Sequence, residues 1–394
     1  MRIYDTFVWF LYHKRMNFLQ YQFDTIGISF AVGLGSLILF QIIYYILVYG
    51  RTAFYKGNKK ENQKLPSVSV VLCVKDEAYN LEKRLPTILE QEYPNFEVVV
   101  VNDASVDETE YVLHVLKEIY PNLNVVNLYN NVNKFLGKKY PLSLGIKSAK
   151  NDIILLTEAD TIPSSYHWIS EMVKGFTDNK QIVLGYTAYE TRKGLLNKLI
   201  HYENQTLAMN YLGLGMIGSP YMGLGRNLAY TREMFFKQGG FISQYNIPVG
   251  DDDLFINKVA NPRNTSVIVT SDSINLSVPK EKMYEWIIQK KKHYTSLRHF
   301  KLKDKLITSL IPFTTFLLYA LAVVSIVFKF PWEYVVVGIL LKYIVQIFYY
   351  FRSSKTLGTK KIAIFAPIFE IMFMFFNTII NATTLFTKRK KWKY

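Results

Sequence analysis

A short apolar run that ends in charged residues occupies Val68-Ser69-Val70-Val71-Leu72-Cys73-Val74-Lys75-Asp76-Glu77. Its length and its β-branched residues are typical of a buried strand. Similar runs recur downstream at Val98 to Val101, Val125 to Leu128, Ile153 to Leu156 and Ile182 to Leu184. Amphipathic stretches at helical spacing separate them, at Leu81 to Glu90, Glu108 to Ile119 and Ser165 to Thr177. This alternation predicts an α/β fold with a mainly parallel sheet.

Acidic side chains follow these runs. Glu77 follows the first run, Asp103 the second, and the pair Glu158 and Asp160 follows Ile153 to Leu156. The triplet Asp251-Asp252-Asp253 comes later, after a glycine. Ligands of open α/β sheets bind at the carboxyl ends of the strands, so these acids are placed to meet at one binding edge. Alone, each of them could equally cap the next helix.

The pair Glu158 and Asp160 has the chemistry of a metal site. Two acids at positions i and i+2 after a strand can both face a cleft and bind a hard cation through oxygen. Mg²⁺ or Mn²⁺ bound there would bridge to the oxygens of a diphosphate. Lys138, in Gly137-Lys138-Lys139, supplies a positive charge for the same diphosphate. A solvated acidic turn with an incidental lysine is the alternative.

The charge of the chain indicates a membrane surface as a partner. The 394 residues carry a formal net charge of +16, and half of them are hydrophobic. Basic residues cluster beside the apolar segments, in Arg51 to Lys64, Lys280 to Lys305, Arg352 to Lys361 and Lys388 to Lys393. Juxtamembrane positive charge is a topology signal. Because no nucleic-acid-binding motif accompanies the clusters, we expect no nucleic-acid partner.

Four apolar segments predict the membrane organisation. Residues 26–49 hold no charged residue over the length that a transmembrane helix needs, and residues 1–25 resemble an interfacial segment. A C-terminal membrane region covers residues 306–387 with two or three spans, and a basic tail follows at 388–394. Its segments are Leu306 to Phe328, Tyr334 to Phe351 and Ile362 to Phe386. The region between, residues 65–300, is the predicted catalytic domain, with interfacial helices near 280–300.

The third C-terminal segment raises a topology problem. One N-terminal span and three C-terminal spans would place Lys388 to Lys391 on the side opposite the catalytic domain, against the positive-inside rule. We therefore expect the tail to be cytoplasmic and the segment at residues 362–386 not to cross.

Several of these motifs together resemble one family. They are Val68 to Leu72 with Asp76-Glu77, Asn102-Asp103-Ala104-Ser105, Glu158-Ala159-Asp160, Gly223-Leu224-Gly225-Arg226-Asn227-Leu228-Ala229-Tyr230, Gly239-Gly240-Phe241 and Gly250-Asp251-Asp252-Asp253. In this order and spacing the chain resembles the membrane-bound glycosyltransferase family 2 enzymes over residues 65–300. That group includes polysaccharide synthases and ceramide glucosyltransferases. An ordered set of motifs is far more specific than any one motif.

The resemblance implies a GT-A fold, a UDP-sugar donor, a divalent metal (Mn²⁺ or Mg²⁺) held by Asp160, and Asp252 as catalytic base. It places donor-binding groups at Glu77, Asp103, Lys138, Glu158, Asp160, Gln289 and Lys292. It places acceptor-side groups at Asp251, His293, Gly225 and Asn227. Inversion at an anomeric carbon requires one carboxylate to take the proton of the attacking hydroxyl, which is the role expected of Asp252.

The chain departs from the family pattern at three motifs. The metal motif begins with Glu158 instead of aspartate, and the second-strand pair is Asn102-Asp103 where many members have two aspartates. The Gln-x-x-Arg-Trp motif appears as Gln289-Lys290-Lys291-Lys292-His293. Lysine keeps a cation but loses the bidentate fork of arginine, and histidine is smaller and more polar than tryptophan.

We therefore predict an inverting glycosyltransferase in the cytoplasmic membrane, multi-pass, with its catalytic domain in the cytoplasm. It would transfer a sugar from a UDP-sugar to a lipid-linked or membrane-proximal acceptor. Two alternatives stay open: a processive polysaccharide synthase that also translocates its product, and a non-catalytic membrane scaffold. The sequence leaves the sugar, the acceptor and the oligomeric state undetermined.

Overall fold

The structure is a computed structural model that describes residues 25–57, 65–129, 137–177, 179–247, 249–359 and 362–386. The predicted interfacial segment 1–25 lies outside this part of the chain except for Thr25, and the basic tail 388–394 lies wholly outside it.

A seven-stranded sheet forms the centre of residues 65–300, the predicted catalytic domain, which keeps the name catalytic domain below. Its strands are β1 (Val68–Val74), β2 (Phe96–Asp103), β3 (Leu123–Leu128), β4 (Ile153–Leu156), β6 (Ile182–Leu184), β8 (Leu228–Thr231) and β9 (Thr265–Val267). Their order across the sheet is β3-β2-β1-β4-β8-β6-β9. Only β8 runs antiparallel to its neighbours. The predicted α/β class and mainly parallel sheet are therefore confirmed. A second sheet pairs β5 (Thr161–Pro163), β10 (Asn275–Ser277) and β7 (Thr187–Tyr189).

Helices cover both faces of the main sheet. In the catalytic domain they are α2 (Ala78–Leu89), α3 (Thr109–Ile119), α4 (Lys139–Ser148), α5 (Trp168–Val173), α6 (Leu195–Met216), α7 (Arg232–Lys237), α8 (Asp253–Val259) and α9 (Met283–Leu297). In β1, alternate residues face opposite layers, so that Val70 and Leu72 pack against α2 and α3 while Val71 packs on the side of α4 and α6. The two layers leave the carboxyl edge of the sheet open between them.

Four long apolar helices make up the membrane region of the described chain. The first is α1 (Thr25–Tyr44), which continues through a π-helical turn (Tyr45–Tyr49) and a last turn (Gly50–Ala53). The others are α10 (Leu302–Val327), α11 (Trp332–Thr356) and α12 (Ala366–Phe386). Their exposed surfaces are apolar along most of their lengths. This composition supports membrane association of the chain.

Helix α6 joins the catalytic domain to the membrane helices. From its first turns to its last it contacts α12 through Tyr202, α11 through Gln205 and α1 through Asn210. The Gln205 amide donates to the Tyr350 carbonyl at 2.7 Å, and the Asn210 amide donates to the Tyr44 hydroxyl at 2.9 Å. The same buried cluster of apolar side chains contains residues of the sheet, of α6 and of the membrane helices. The two regions therefore share one hydrophobic core.

A close approach between the two regions involves a glycine. A Cβ atom on Gly213 of α6 would lie 2.3 Å from the carbonyl oxygen of Val48, in the π-helical turn. Since that neighbour is backbone, it cannot move aside as a flexible side chain would. Glycine at this position allows α6 to pack directly on the N-terminal membrane helix.

We predict that Gly213→Ala lowers the stability of the purified protein. In an open helix the change would stabilise by up to about 1 kcal/mol, whereas overpacking costs about 1–3 kcal/mol. The expected result is a lower midpoint of thermal unfolding in detergent. Gly35→Ala in α1 is the matched control, because nothing lies within 4 Å of a Cβ built there. Equal midpoints for both variants would contradict the proposed close packing.

Candidate active site

The loops that follow β1 and β2 are tied together by their own acids. The Asp76 carboxylate accepts from the backbone N–H of Val106 at 2.8 Å, and the Asp107 carboxylate accepts from that of Ala78 at 3.1 Å. Asp76 has a positive φ of 56°. These turns place Glu77 at the start of α2 and Asp103 at the end of β2, where Asp103 is buried. Both predicted donor-side acids therefore lie at the carboxyl edge of the sheet.

Lys138 is the central cation of the site. Its ammonium group donates to the Glu158 carboxylate at 3.2 Å. About one third of each side chain is exposed to solvent, and many protein atoms lie around the pair. Burial alone would lower the pKa of Lys138, but the charges of Glu158 and Asp251 outweigh burial and raise it. Lys138 is therefore fully protonated at neutral pH.

Arg226 completes the charge balance of Glu158. Its Nε lies 4.0 Å from the Glu158 carboxylate, and its guanidinium stacks over the Tyr189 ring at 4.9 Å. Burial would raise the pKa of Glu158, but Lys138 and Arg226 together lower it, so the acid is ionised. Arg226 is nearly buried. Arg226 is not among the predicted site residues, although it belongs to the motif Gly223 to Tyr230, where an arginine directly after Gly223-Leu224-Gly225 was the available signal.

Asp160 differs from Glu158 although only one residue separates them. Burial and the negative charge of Glu158 raise the pKa of Asp160, and Arg226 and Lys138 only partly oppose this. An added cation would stabilise the ionised form of Asp160. In the described part of the chain, no three His, Cys, Asp or Glu side chains are grouped as a metal site. Two carboxylates fit Mg²⁺ or Mn²⁺ when substrate phosphates and water supply the other ligands.

The triplet Asp251-Asp252-Asp253 begins α8 and holds three different acids. Asp252 is the N-cap, and its two oxygens accept from the backbone N–H groups of Gly225 at 2.6 Å and Asp253 at 2.7 Å. Asp253 is buried and accepts from the Ser296 hydroxyl and the Leu254 N–H. Burial and neighbouring acids raise the pKa of Asp251 to about 6 and that of Asp253 to about 8. Burial also raises the pKa of Asp252, against the two backbone donors.

Lys139, next to Lys138, binds backbone carbonyls of the protein. Its buried ammonium group donates to the carbonyls of Gln244 at 3.2 Å, Ile247 at 2.7 Å and Val249 at 2.6 Å. Three acceptors match the three N–H donors of an ammonium group, although burial lowers its pKa to about 8. Lys139 therefore holds the loop that leads into Asp251 and Asp252.

One face of α9 borders this cluster of charges. Gln289, Lys292, His293 and Ser296 follow one another at helical spacing, and Ser296 binds Asp253. Burial, with the charges of Lys138 and Lys280, lowers the pKa of Lys292. The His293 side chain reaches solvent, but many protein atoms lie around its ring. The resulting loss of hydration lowers the pKa of His293 to about 4, so the ring is neutral at pH 7. Gln289 lies at the margin, with its amide 3.5 Å from the Tyr189 hydroxyl.

Most predicted site residues therefore share one region. Charge interactions connect Glu77 with Asp160, Asp160 with Glu158, and Glu158 with both Asp251 and Asp252. Asp160 and Asp252 thus belong to a single electrostatic cluster. Their assignment to donor, metal or base roles stays a prediction.

Two predicted acceptor-side residues have other positions. The Asn227 side chain is buried and points into the core, where it accepts from the Trp168 indole at 3.1 Å and donates to the carbonyls of Tyr186 and Ser273. Its prediction as an acceptor-side group is wrong, because all its polar atoms are used inside the protein. Gly225 acts through its backbone N–H, which holds Asp252.

The predicted interfacial helix at 280–300 corresponds to α9, and its contact with the bilayer stays a prediction. One of its aromatic residues does not face lipid, because Trp286 is buried and stacks on Phe376 of α12, with ring centroids 5.2 Å apart. Lys290 is buried between the Glu203 carboxylate and the rings of Phe373 and Phe376. One face of α9 therefore packs on α12, whereas Met283, Tyr284 and Ile288 are exposed.

We predict that Lys139→Met destabilises the protein strongly. The change leaves buried carbonyls without donors, and each buried group left unsatisfied costs about 1–3 kcal/mol. The measurement is the midpoint of thermal unfolding in detergent. Lys147→Met, on the same helix but exposed, should leave the midpoint unchanged. A Lys139 variant as stable as this control would show that the three carbonyls do not depend on the ammonium group.

Comparison with known proteins supports the resemblance found in the sequence. Residues 69–241 match the family described as Glycosyl transferase family 2. The chain is 27% identical over 146 residues to a poly-beta-1,6-N-acetyl-D-glucosamine synthase of Staphylococcus epidermidis, covering 36% of this chain and 33% of the relative. It is 25% identical over 182 residues to the synthase of the same name from Staphylococcus aureus, covering 43% and 42%. The chain thus aligns with less than half the length of these relatives.

A solved structure shares the fold over most of the chain. It is the mannosyltransferase PcManGT from Pyrobaculum calidifontis in complex with GDP-Man and Mn²⁺. The TM-score is 0.56 at 19% sequence identity, and the alignment covers 89% of this chain and 99% of that one. At this identity the likeness concerns the fold alone. Together with the matched residues it shows that the chain carries a glycosyl transferase family 2 domain with a GT-A fold.

Proposed function

We propose that the protein is a membrane-bound inverting glycosyltransferase that moves a sugar from a UDP-sugar to a lipid-linked or membrane-proximal acceptor. One observation carries the proposal. Asp252 is held rigidly by two backbone N–H groups in the same charge cluster as Lys138, Glu158 and Asp160. A fixed carboxylate beside cations that suit a diphosphate is what inverting sugar transfer requires.

In the proposed reaction, the acceptor hydroxyl attacks the anomeric carbon on the face opposite the nucleoside diphosphate. A bond forms from the hydroxyl oxygen to that carbon, and the bond from carbon to the diphosphate oxygen breaks with its electron pair. Asp252 takes the hydroxyl proton. Lys138 stabilises the negative charge on the leaving diphosphate, and Lys292 supports it from α9. The two backbone donors to Asp252 keep its carboxylate aimed during the proton transfer.

Asp160 and Glu158 would hold a divalent metal, which when bound neutralises charge on the diphosphate. The raised pKa of Asp160 supports this assignment, since a cation would replace the missing positive charge. Glu158 is already paired with Lys138 and Arg226, so Asp160 is the principal ligand proposed.

The acceptor is proposed from the position of the domain. Helix α6 contacts the ends of the membrane helices, and its Tyr202, Gln205 and Asn210 bind them directly. A site held this close to the bilayer suits an acceptor that is itself in the membrane. We place the domain in the cytoplasm, the compartment that contains nucleotide sugars, with the protein in the cytoplasmic membrane.

A processive polysaccharide synthase is the second candidate. Relatives at 25–27% identity are named for synthesis of a polysaccharide, which favours it. The changed motif Gln289 to His293 favours single transfer, because a small neutral imidazole takes the place of a large stacking ring. Product length separates the two candidates: a ladder of long chains means polymerisation, and one added sugar on extracted lipid means single transfer.

We predict that purified protein with membrane lipids releases UDP from one member of a panel of UDP-sugars, and does so only with Mn²⁺ or Mg²⁺. The panel includes UDP-N-acetylglucosamine and UDP-glucose, with GDP-mannose as the nucleotide control. Asp252→Asn should lower kcat by about 10²–10⁴-fold, since it removes the base. Asp253→Asn is the matched control, because Asp253 is engaged with Ser296 and Leu254 and should tolerate a neutral isostere.

Three results would count against this function. If calorimetry detects no binding of any UDP-sugar, the non-catalytic membrane scaffold becomes the better explanation. Equal activity of Asp252→Asn and wild type would remove Asp252 as base. Preference for GDP-mannose would overturn the assignment of the nucleotide.

The pH dependence of kcat/KM should reveal the buried acids. Because Asp252 acts as the carboxylate and burial raises its pKa, activity should fall as pH decreases, with an acid limb at higher pH than the ordinary pKa of an aspartate. Asp251→Asn removes a neighbouring negative charge and should move the limb to lower pH. Glu108→Gln, at an exposed acid, should leave it in place. A limb near pH 4 in wild type would contradict the burial argument.

A further inference from the structure

Helix α12 has the length and composition of a membrane span, yet the catalytic domain contacts it along its whole length. A helix of 21 residues is about 30 Å long, which matches the thickness of the hydrocarbon core. If it crossed the bilayer, one of its ends would lie on the side away from the catalytic domain. The contacts at its two ends therefore decide its orientation.

The first end lies against the start of α6. The Lys198 ammonium group lies 4.9 Å from the centre of the Phe365 ring, in the turn just before α12. Four residues further along each helix, Tyr202 packs edge-on against Phe369 with ring centroids 5.4 Å apart. Asn197, next to Lys198, donates to the carbonyl of Glu190 in the catalytic domain. This end is on the catalytic side.

The middle and the last turn lie against α9. Trp286 contacts Phe373 and Phe376, with ring centroids 5.9 and 5.2 Å apart. Beyond the other end of α9, the Arg298 guanidinium donates to the Thr384 hydroxyl. From Trp286 to Arg298 and from Phe373 to Thr384 the two helices advance by similar distances, so they run side by side. The last turn of α12 is therefore on the catalytic side as well.

The Arg298 end of α9 belongs firmly to the catalytic domain. Ser296 binds Asp253 of the triplet, the Phe300 ring packs against Tyr221, and the N–H of Lys301 donates to Asn257 at 2.9 Å. A spanning α12 would carry Thr384 about 28 Å away from Phe365 along the membrane normal. Contacts with one cytoplasmic domain at both positions are incompatible with that separation.

The remaining side of α12 is exposed and apolar. Its exposed large apolar residues share one face at helical spacing: Ile368, Ile371, Met372, Phe375 and Ile379. The opposite face carries Glu370, which accepts from Lys342, from Gln346 at 2.7 Å and from Tyr319 at 2.9 Å. The one acid in α12 is thus neutralised inside the protein and does not oppose burial in lipid.

We propose that α12 does not cross the membrane but lies along its catalytic-side leaflet, with its apolar face in lipid and its inner face on α9. The bilayer is the partner of this face, because the face continues the apolar exposed surfaces of α10 and α11 beside it. Three crossing helices, α1, α10 and α11, then return the chain to the catalytic side. The sequence that follows α12 is basic at Lys388 to Lys391, which is the charge that the positive-inside rule associates with the cytoplasmic side.

The proposal assigns α12 a role for the site. The helix that presents Gln289, Lys292 and His293 to the charge cluster rests on it through Trp286 and Lys290. A lipid surface that supports α12 therefore supports α9 indirectly. The orientation of α12 follows from its contacts and does not depend on the proposed sugar transfer.

Single-cysteine labelling tests the orientation in the full-length protein. Cys73 is the only cysteine, so Cys73→Ala provides the background. Trp392→Cys, beyond the end of α12, is treated with a membrane-impermeant maleimide in sealed vesicles of each orientation. Val106→Cys, 91% exposed in the catalytic domain, and Lys329→Cys, exposed between α10 and α11, mark the two sides. We expect Trp392→Cys to label with Val106→Cys. Labelling with Lys329→Cys, or from both sides, would overturn the proposal.

A depth measurement tests the lipid contact. Fluorescent labels at Ile368→Cys, Phe375→Cys and Ala382→Cys are quenched by lipids that carry quenchers at known depth. An in-plane helix places all three in the catalytic-side leaflet, about 5–10 Å into the headgroup and acyl boundary. A spanning helix would place Phe375→Cys at the bilayer centre and Ala382→Cys in the opposite leaflet. Absence of quenching at all three positions would mean that protein, such as a second copy, covers this face, and would also overturn the proposal.

Discussion

The balance of charge at the carboxyl edge of the sheet is the constraint on which the site depends. Glu77, Glu158, Asp160, Asp251 and Asp252 interact within one region, and Lys138 and Arg226 are the cations among them. Burial disfavours every one of these carboxylates, and only Glu158, which has both cations beside it, has a lowered pKa. The others have raised pKa values, with burial as the largest cause. A divalent cation would favour their ionised forms, which is why the electrostatics and the proposed chemistry agree.

Rigid backbone contacts keep this unfavourable arrangement in place. Lys139 gathers three carbonyls of the loop before Asp251, and Gly225 and Asp253 fix both oxygens of Asp252. Ser296 then connects Asp253 to α9. Because buried acids repel one another, a flexible loop would let them separate and become hydrated. The two adjacent lysines therefore have different roles. Lys138 supplies positive charge to the site, and Lys139 fixes the loop before Asp251 through its three carbonyls.

The membrane region is part of the same mechanical unit. Helix α6 contacts α12, α11 and α1 in turn, and Gly213 lets it approach the backbone of Val48 directly. On the other side, α9 lies between the charge cluster and α12, with Lys290 enclosed by Glu203 and aromatic rings. Movement of α12 relative to the sheet would therefore be transmitted to Lys292 and His293. This connection gives a physical reason for a catalytic domain of this kind to be joined to membrane helices by a shared core.

The sequence by itself determined the class of the fold, the apolar helices, the order of the acidic motifs and five of the ten strands in the described chain, namely β1, β2, β3, β4 and β6. Strands β1, β4 and β6 begin and end where their β-branched runs do, because short-range side-chain patterns decide local structure. Three contacts were decided by tertiary structure alone. Arg226 compensates the charge of Glu158, the Asn227 side chain makes its hydrogen bonds in the core, and Trp286 packs on α12 instead of lipid. These contacts join residues 59 to 90 positions apart, from Trp168 with Asn227 to Trp286 with Phe376. Local pattern carries no information about which distant side chain will satisfy a buried charge or cover an aromatic ring, since that depends on how the whole chain packs.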